Sequence, residues 1–115
     1  MIQKVIEAMQ AGDYVALSEC FAPNGRLFDY CPVSKGSAVR SYHVCNFFVY
    51  GRQAIEMFFH NKFYFHTIAI SDPVINDDLS ADYFVSYGGE YVYARAQIES
   101  LSEDGLIQDL VVRLA

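Results

Sequence analysis

The last third of the chain most constrains the fold. Residues 79–115 predict three consecutive strands, DYFVSY, EYVYARAQIESLS and LIQDLVVRLA, joined by short turns at Gly88-Gly89 and Asp104-Gly105. Gly-Gly and Asp-Gly supply the positive φ angles that two-residue hairpin turns require. The middle strand runs for about twelve residues, and strands of that length tend to twist or coil. The segment therefore predicts a curved antiparallel sheet that holds a pocket.

The preceding residues predict helices interspersed with strands. Residues 2–9 carry apolar side chains at helical spacing, and Asp13 is a suitable cap for a second helix, YVALSECFA, that Pro23-Asn24-Gly25 ends. A third helix, GRQAIEMFFHN over 51–61, is predicted to place four side chains on one face: Ala54, Ile55, Phe58 and Phe59.

Three further strands are predicted around these helices. They are RLFDY over 26–30, SYHVCNFFVY over 41–50, which we expect to pair with the first strand, and FYFHTIAI over 63–70, closed by Asp72-Pro73. The element order is then α-α-β-β-α-β-β-β-β. Three helices against a mostly antiparallel sheet indicate the α+β class, with the helices covering one face.

Composition narrows the classes of function. The 115 residues predict a single domain over 1–115, and the 16% aromatic content (nine Tyr, nine Phe, no Trp) exceeds what an ordinary core requires. The surplus predicts either an aromatic cavity or a face buried against another subunit. A net charge of -6 disfavours nucleic acid as a partner. No apolar run approaches the ~18 residues of a membrane span, so we expect no membrane association.

The cysteines and the amino-terminal stretch predict a cytoplasmic location. Three cysteines at irregular spacing without a CxxC pair are typical of reduced thiols in a cytosolic protein: Cys20, Cys31 and Cys45. Lys4, Glu7 and Gln10 interrupt the first apolar stretch, which argues against a signal peptide.

Three segments carry a resemblance to a known family. AGDYVALSECFAPNGRLFD, GRQAIEMFF and the meander that ends in GLIQDLVVRL resemble the NTF2-like superfamily with its cystatin-like cone. Within it, the chain is most similar to the SnoaL-like and ketosteroid isomerase-like group, and the resemblance covers nearly the whole chain. This fold hosts isomerases, dehydratases, cyclases and non-catalytic association domains, so the resemblance implies the cone but not one function.

The resemblance implies candidate catalytic residues. Asp29, in the strand after the second helix, matches the general base of ketosteroid isomerases, and Glu99 falls where that family has a protonated acid that donates to the substrate oxygen. His66 with Asp29 would form a histidine–carboxylate pair of the kind some dehydratases of this fold use. The family's helix tyrosine corresponds to Val5, so another tyrosine would have to replace that donor: Tyr91, Tyr93 or Tyr30. Alternatively, Asp29 caps the turn that follows its strand.

Register arithmetic places further candidates. In a hairpin with a two-residue turn, the residue numbers of every facing pair have the same sum, which is 177 for the first hairpin and 209 for the second. Asp82 is therefore predicted to face Arg95, and Glu99 to face Leu110. Asp82 and Arg95 form either a cross-strand ion pair or, inside the cone, a site where Arg95 anchors an anionic ligand. The candidate ligand-binding residues are Tyr91, Tyr93, Arg95 and Phe58.

Two interpretations of function remain open. In the first, the cone binds a small apolar molecule with a carbonyl or hydroxyl group, and acid–base proton transfer makes the protein an isomerase, dehydratase or cyclase without a cofactor. In the second, side chains fill the cone of a non-catalytic association module. His43 and Cys45 share a strand face, but no further ligands follow at a recognisable spacing, so we expect no metal. The resemblance also implies a homodimer formed through the open sheet face.

Overall fold

The structure, a computed structural model, describes residues 1–31 and 45–115. Within these ranges the elements follow the predicted order, which confirms the α+β class. They are α1 (Ile2–Ala11), α2 (Tyr14–Glu19), β1 (Phe21–Asp29), β2 (Phe47–Tyr50), α3 (Arg52–Tyr64), β3 (Ala69–Asp77), β4 (Ser80–Tyr87), β5 (Glu90–Leu101) and β6 (Ile107–Leu114). No helix in this part of the chain is long and apolar enough to cross a membrane.

The six strands form one curved, open sheet in the order β2-β1-β6-β5-β4-β3. All neighbouring strands are antiparallel except β1 and β6, which run parallel. The helix-covered side, called the inner face here, carries alternate residues of each strand, such as Tyr83 and Val85 on β4 and Ala94 and Ala96 on β5. Side chains on the other side form the outer face.

Helix α1 closes one end of the core with the predicted apolar stripe. Ile2, Val5, Ile6 and Met9 are buried. Gly12 ends the helix in the left-handed conformation, and its N–H donates to the carbonyls of Ala8 and Met9. Asp13 then caps α2, as predicted, because its side chain accepts a hydrogen bond from the Ala16 N–H.

The two hairpins of the meander differ in how well the arithmetic predicts them. The first is confirmed in every pair, including Asp82 with Arg95, because Gly88 and Gly89 both have positive φ. The second prediction is wrong: Ile98, not Glu99, faces Leu110. The Ser102 N–H donates to the Leu106 carbonyl, which leaves a three-residue turn, and the register also shifts between Ile98 and Ser100. Glu99 therefore points to the outer face, opposite to Leu110.

Several predicted boundaries are also wrong. Helix α2 ends at Glu19, because Phe21 and Ala22 already belong to β1, where Phe21 pairs with Ile107. Within the strand predicted over 41–50, the residues that form β2 are Phe47–Tyr50, and β2 pairs with β1 as expected. Residues 41–44 lie outside the described residues.

The strand predicted over 63–70 is wrong at both ends. Phe63 and Tyr64 continue α3, where Phe63 stacks on Phe59 one turn earlier at 6.0 Å, so packing overrides the strand preference of aromatic residues. Strand β3 begins only at Ala69 and runs through Asp72-Pro73 to Asp77. Asp72 has a φ of 50° beside a register shift, and Pro73 is tolerated because β3 is an edge strand.

The outer face combines ion pairs with exposed aromatic rings. Arg95 binds both oxygens of Asp82, at 2.6 and 2.9 Å, and Arg26 binds both oxygens of Asp109, at 2.6 and 3.0 Å. Of the two alternatives predicted for Asp82 and Arg95, the structure has the cross-strand ion pair. Around these pairs lie exposed aromatic side chains: Phe48, Tyr50, Phe84, Tyr91 and Tyr93.

Candidate functional site

A small cavity of about 40 Å³ lies between the inner face of the sheet and helices α1 and α3. Most of its wall is apolar, with Met9 from α1, Phe58 from α3, and Leu27, Val85, Leu110 and Val112 from the sheet. Five side chains with polar or titratable groups also line it: Asp29, Cys31, Lys62, Tyr83 and Tyr87. A concave, mainly apolar site with a few polar groups has the character of a ligand pocket, although this one is smaller than most.

Asp29 is the last residue of β1 and points to the inner face, as its alternation with Leu27 predicts. Burial raises the pKa of its carboxyl from 3.8 to about 6, because the charged form is desolvated; the Cys31 N–H and the Lys62 charge lower that pKa in part. Its Oδ1 accepts a hydrogen bond from the Cys31 N–H at 2.9 Å, so the side chain also caps the following turn. The Asp29 side chain thus both caps the turn after β1 and lines the cavity.

Asn46 fixes the backbone around Asp29. The Asn46 N–H donates to the Asp29 carbonyl at 2.8 Å, and the Asn46 side chain donates to the Cys31 carbonyl. The strand end that carries Asp29 is thereby tied to the start of β2, where Phe47 pairs with Asp29. These bonds hold the carboxyl group against the cavity.

Lys62 places a cation in the same cavity. Only 7% of Lys62 is exposed, and its Nζ lies 4.6 Å from the ring centre of Phe47, 5.3 Å from that of Phe58 and 6.0 Å from that of Tyr87. Burial lowers the pKa of the ammonium group, and the negative charge of Asp29 opposes that shift. Aromatic faces are favourable surroundings for a desolvated cation.

Sequence reasoning missed Lys62, although the helical period contains the signal. Lys62 follows Ile55 by seven residues and Phe59 by three, which puts all three on one face of α3, and all three are buried. Ala54, by contrast, was predicted on this face and is exposed. A lysine at a core position of an amphipathic helix is the feature that would have revealed the group.

The start of α3 is anchored to β1, which sets the position of Lys62 along the cavity. The Arg52 guanidinium donates two hydrogen bonds to the Phe21 carbonyl, at 2.9 and 2.6 Å. The Gly51 N–H donates to the Gly25 carbonyl at 2.7 Å. Helix and sheet are therefore joined through backbone acceptors near the first turn of α3.

Tyr83, Tyr87 and Cys31 complete the polar wall. Burial raises the pKa of the two phenols and of the thiol, so all three stay protonated and uncharged near neutral pH. Alternation along β4 assigns Tyr83, Val85 and Tyr87 to one face, and the structure identifies that face as the inner one. These neutral groups leave Asp29 and Lys62 as the charged residues of the cavity wall within the described residues.

The predicted site residues divide between the cavity and other surfaces. Asp29 and Phe58 line the cavity together. Glu99 lies on the outer face with its side chain 50% exposed, 4.0 Å from Arg113. His66 is exposed beyond the end of α3. Three other candidates lie on the outer face: Tyr91, Tyr93 and Arg95.

The remaining candidates concern metals and thiols. His43 lies outside the described residues, so its predicted place on one strand face with Cys45 stays a prediction. Within residues 1–31 and 45–115, no group of three or more His, Cys, Asp or Glu side chains is arranged to hold a metal ion. Cys20, Cys31 and Cys45 are free thiols.

Comparison with solved structures identifies the fold. An NTF2-like protein of unknown function from Cytophaga hutchinsonii matches 99% of this chain and 86% of its own, with a TM-score of 0.63 and 12% identity. A protein with a cystatin-like fold from Silicibacter pomeroyi matches 96% of this chain over 70% of its own length, with a TM-score of 0.63 and 17% identity. A SnoaL-like protein of unknown function from Burkholderia thailandensis matches 98% of this chain over 89% of its own length, with a TM-score of 0.55 and 12% identity.

This chain has the NTF2-like fold. No family model matches the sequence, and no curated protein matches it. At these identities, the likeness establishes the NTF2-like architecture alone, and the function must be argued from the cavity.

Proposed function

We propose that this NTF2-like protein binds a compact, largely apolar molecule in the cavity and moves a proton on that molecule through Asp29. The observation that carries the proposal is a carboxyl group in an apolar pocket, with its pKa raised to about 6. A general acid or base works best when its pKa lies near the working pH. Perturbed titratable groups in clefts are also enriched at functional sites.

The chemistry needs only groups that the cavity contains. Above about pH 6, Asp29 is ionised and can remove a proton from a carbon next to a carbonyl group. The electron pair of the broken C–H bond moves onto the carbonyl oxygen, where the Lys62 ammonium and the tyrosine hydroxyls can stabilise the negative charge. If the molecule has a β,γ double bond, the electron pair returns from the oxygen and Asp29 gives the proton to the γ carbon, which shifts the double bond and is an isomerisation. If it carries a β-hydroxyl group, the returning pair forms a carbon–carbon double bond as the hydroxyl takes the proton and leaves as water, which is a dehydration. Neither route uses an organic cofactor.

The test is a titration of Asp29 combined with a ligand screen. Carboxyl carbon shifts followed by NMR should give Asp29 a midpoint near pH 6, and Asp29→Asn should remove that titration. Small ketones such as butanone and cyclopentanone should then shift backbone amides around the cavity. A midpoint near the ordinary Asp value, together with no response to any of the ketones, would overturn the proposal.

A second candidate function is a non-catalytic association module. It is favoured by the outer face, where exposed aromatic rings surround charges that are neutralised within the chain, and by a cavity of only about 40 Å³. In this alternative a second copy of the chain covers the outer face. Sedimentation at several concentrations separates the two: a dimer that binds none of the ketones supports the module.

A further inference from the structure

Lys62 is a cation with no direct counter-ion in the described part of the chain. Its side chain is more than nine-tenths buried, and no carboxylate of residues 1–31 or 45–115 lies within 4 Å of its Nζ. Three aromatic ring centres lie between 4.6 and 6.0 Å from the ammonium nitrogen. A buried ammonium without a paired anion is costly, so a ligand that supplies the anion gains the attraction with little further desolvation of the protein.

Asp29 is the only acidic side chain that faces the same cavity within the described residues. The surrounding elements contribute no other charge: α1 supplies Met9, β3 supplies Ile70, and β6 supplies Leu110 and Val112. Cys31, Tyr83 and Tyr87 face the cavity as neutral groups. The cavity therefore presents one fixed cation and one carboxyl group whose charge depends on its proton.

We propose that the cavity binds a small monocarboxylate with an apolar tail, held by an ion pair with Lys62 and a hydrogen bond from protonated Asp29, so that one proton enters with each anion. This inference rests on the proposed function, because it names the class of molecule that the same cavity takes. The proton balance is simple: an ionised Asp29, one proton from solvent and one carboxylate give protonated Asp29 beside a bound anion. The net charge of the cavity is unchanged by binding.

The proposed catalytic step produces the same arrangement of charge. When Asp29 removes a proton from a carbonyl compound, it becomes protonated beside an oxyanion that faces Lys62. A carboxylate with protonated Asp29 therefore mimics that intermediate in charge and in hydrogen bonding. Tight binding of the mimic relative to a neutral isostere is the expected signature.

Charge and size favour a monocarboxylate over a phosphate. Lys62 is the one basic side chain in the described cavity wall, and a phosphate dianion would need more donors than one ammonium group and three neutral hydroxyl or thiol groups. The remaining wall is hydrocarbon and aromatic, which suits an apolar tail. A cavity of about 40 Å³ restricts that tail to a few atoms.

The experiment uses trifluoroacetate, which is ionised throughout the range tested, followed by fluorine NMR at pH 5 and pH 7. Because Asp29 has a pKa of about 6, its protonated fraction rises about tenfold from pH 7 to pH 5, so we expect about tenfold tighter binding at pH 5. Lys62→Met should abolish binding at both values. Lys4→Met, at an exposed lysine of α1, is the matched control and should bind as the wild type does.

Two further measurements make the outcome decisive. Asp29→Asn imitates the protonated carboxyl, so it should bind trifluoroacetate at pH 7 as tightly as the wild type binds it at pH 5. Trifluoroacetamide, the neutral isostere, should bind with no pH dependence. Binding that survives Lys62→Met, or that tightens with rising pH, overturns the inference.

Failure of the inference is distinguishable from failure of the proposed function. If Asp29 titrates near pH 6 and neutral ketones bind while trifluoroacetate does not, the carboxylate inference is overturned and the proton-transfer function stands. If Asp29 titrates near its ordinary value and none of the probes bind, both are overturned.

Discussion

Asp29 on β1 and Lys62 on α3 line the same cavity without an ion pair within 4 Å between them. Each nevertheless affects the other: the Lys62 charge lowers the pKa of Asp29, and the Asp29 charge raises that of Lys62. Burial is the larger effect on both groups and disfavours both charges. The two buried charged groups at the cavity therefore lower the stability of the fold, and such a loss is typical of a functional site.

Asp29→Asn should stabilise the protein above pH 6. The folded pKa is raised from 3.8 to about 6, so the folded state binds more protons than the unfolded state between these values, and stability falls as pH rises through that window. The shift corresponds to about 3 kcal/mol. Since Asn keeps the oxygen that accepts from the Cys31 N–H, urea unfolding at pH 8 should show the variant more stable by about 2–3 kcal/mol.

The same comparison at low pH is the internal control. Below about pH 3, both folded and unfolded wild type are protonated at Asp29, so the advantage of Asn should vanish. Asp104→Asn, in the exposed turn before β6, controls for the loss of a carboxylate outside the cavity. If Asp29→Asn destabilises the protein equally at pH 3 and pH 8, the carboxyl group serves structure alone.

Lys62→Met should raise the pKa of Asp29 further. The Lys62 charge lowers that pKa in the wild type, and methionine fills similar space without a charge. Carboxyl carbon shifts across pH should therefore give a midpoint above 6 in the variant, while Lys4→Met leaves it in place. An unchanged midpoint in Lys62→Met would show that the two groups do not interact, and would remove the basis for treating them as one site.

The first hairpin shows how far sequence could predict the sheet. Gly88-Gly89 determines a two-residue turn, and that turn correctly predicts the ion pair of Asp82 with Arg95 on facing strands. Asp104-Gly105 was expected to act likewise, but the chain there forms a longer turn with a bulge. One residue of slip moves Glu99 away from Leu110, and no local signal distinguishes the two turns.

The cavity was predictable only in part. Resemblance and alternation located Asp29, because a short strand with one buried face determines where its side chains point. Lys62 was missed because a charged residue in a helix is usually assigned to the solvent side. The helical period does put Lys62 on the apolar face of α3. The aromatic rings around its ammonium group, Phe47, Phe58 and Tyr87, come from three different elements, so these contacts are visible only in the folded chain.

Gly25→Ala should destabilise the protein. A Cβ at this position would lie 2.9 Å from the Ile107 carbonyl oxygen, 3.0 Å from the Ala22 carbonyl oxygen and 3.1 Å from the Phe21 Cβ. Two of the three neighbours are backbone atoms in or beside paired strands, so they cannot move cheaply. Overpacking of this kind costs about 1–3 kcal/mol, measurable as a lower Tm by circular dichroism.

Gly88→Asn is the matched control for that change. A side chain at Gly88 meets no atom within 4 Å, and its φ of 54° is one that asparagine tolerates. We expect little change in Tm. If Gly88→Asn lowers the Tm as much as Gly25→Ala does, both effects come from lost glycine flexibility rather than from close packing at β1.

Phe84→Glu should disrupt self-association through the outer face. Phe84 is exposed and lies 4.7 Å from the ring centre of Tyr93, within the cluster that also includes Tyr91. The arginines and acids beside these rings are already paired within the chain, so the face offers apolar surface with little uncompensated charge to a second copy. Sedimentation should show a dimer for the wild type and a monomer for the variant, because an unpaired charge opposes burial at an interface.

Phe65→Glu is the control that makes this result specific. Phe65 is 74% exposed but lies at the end of α3, away from the outer face. It should leave the dimer intact, which would separate an effect of the outer face from a general gain in charge. A wild type that remains monomeric at all concentrations would contradict the prediction, and so would a dimer that persists in Phe84→Glu. In either case the outer aromatic rings must serve something other than contact between copies of this chain.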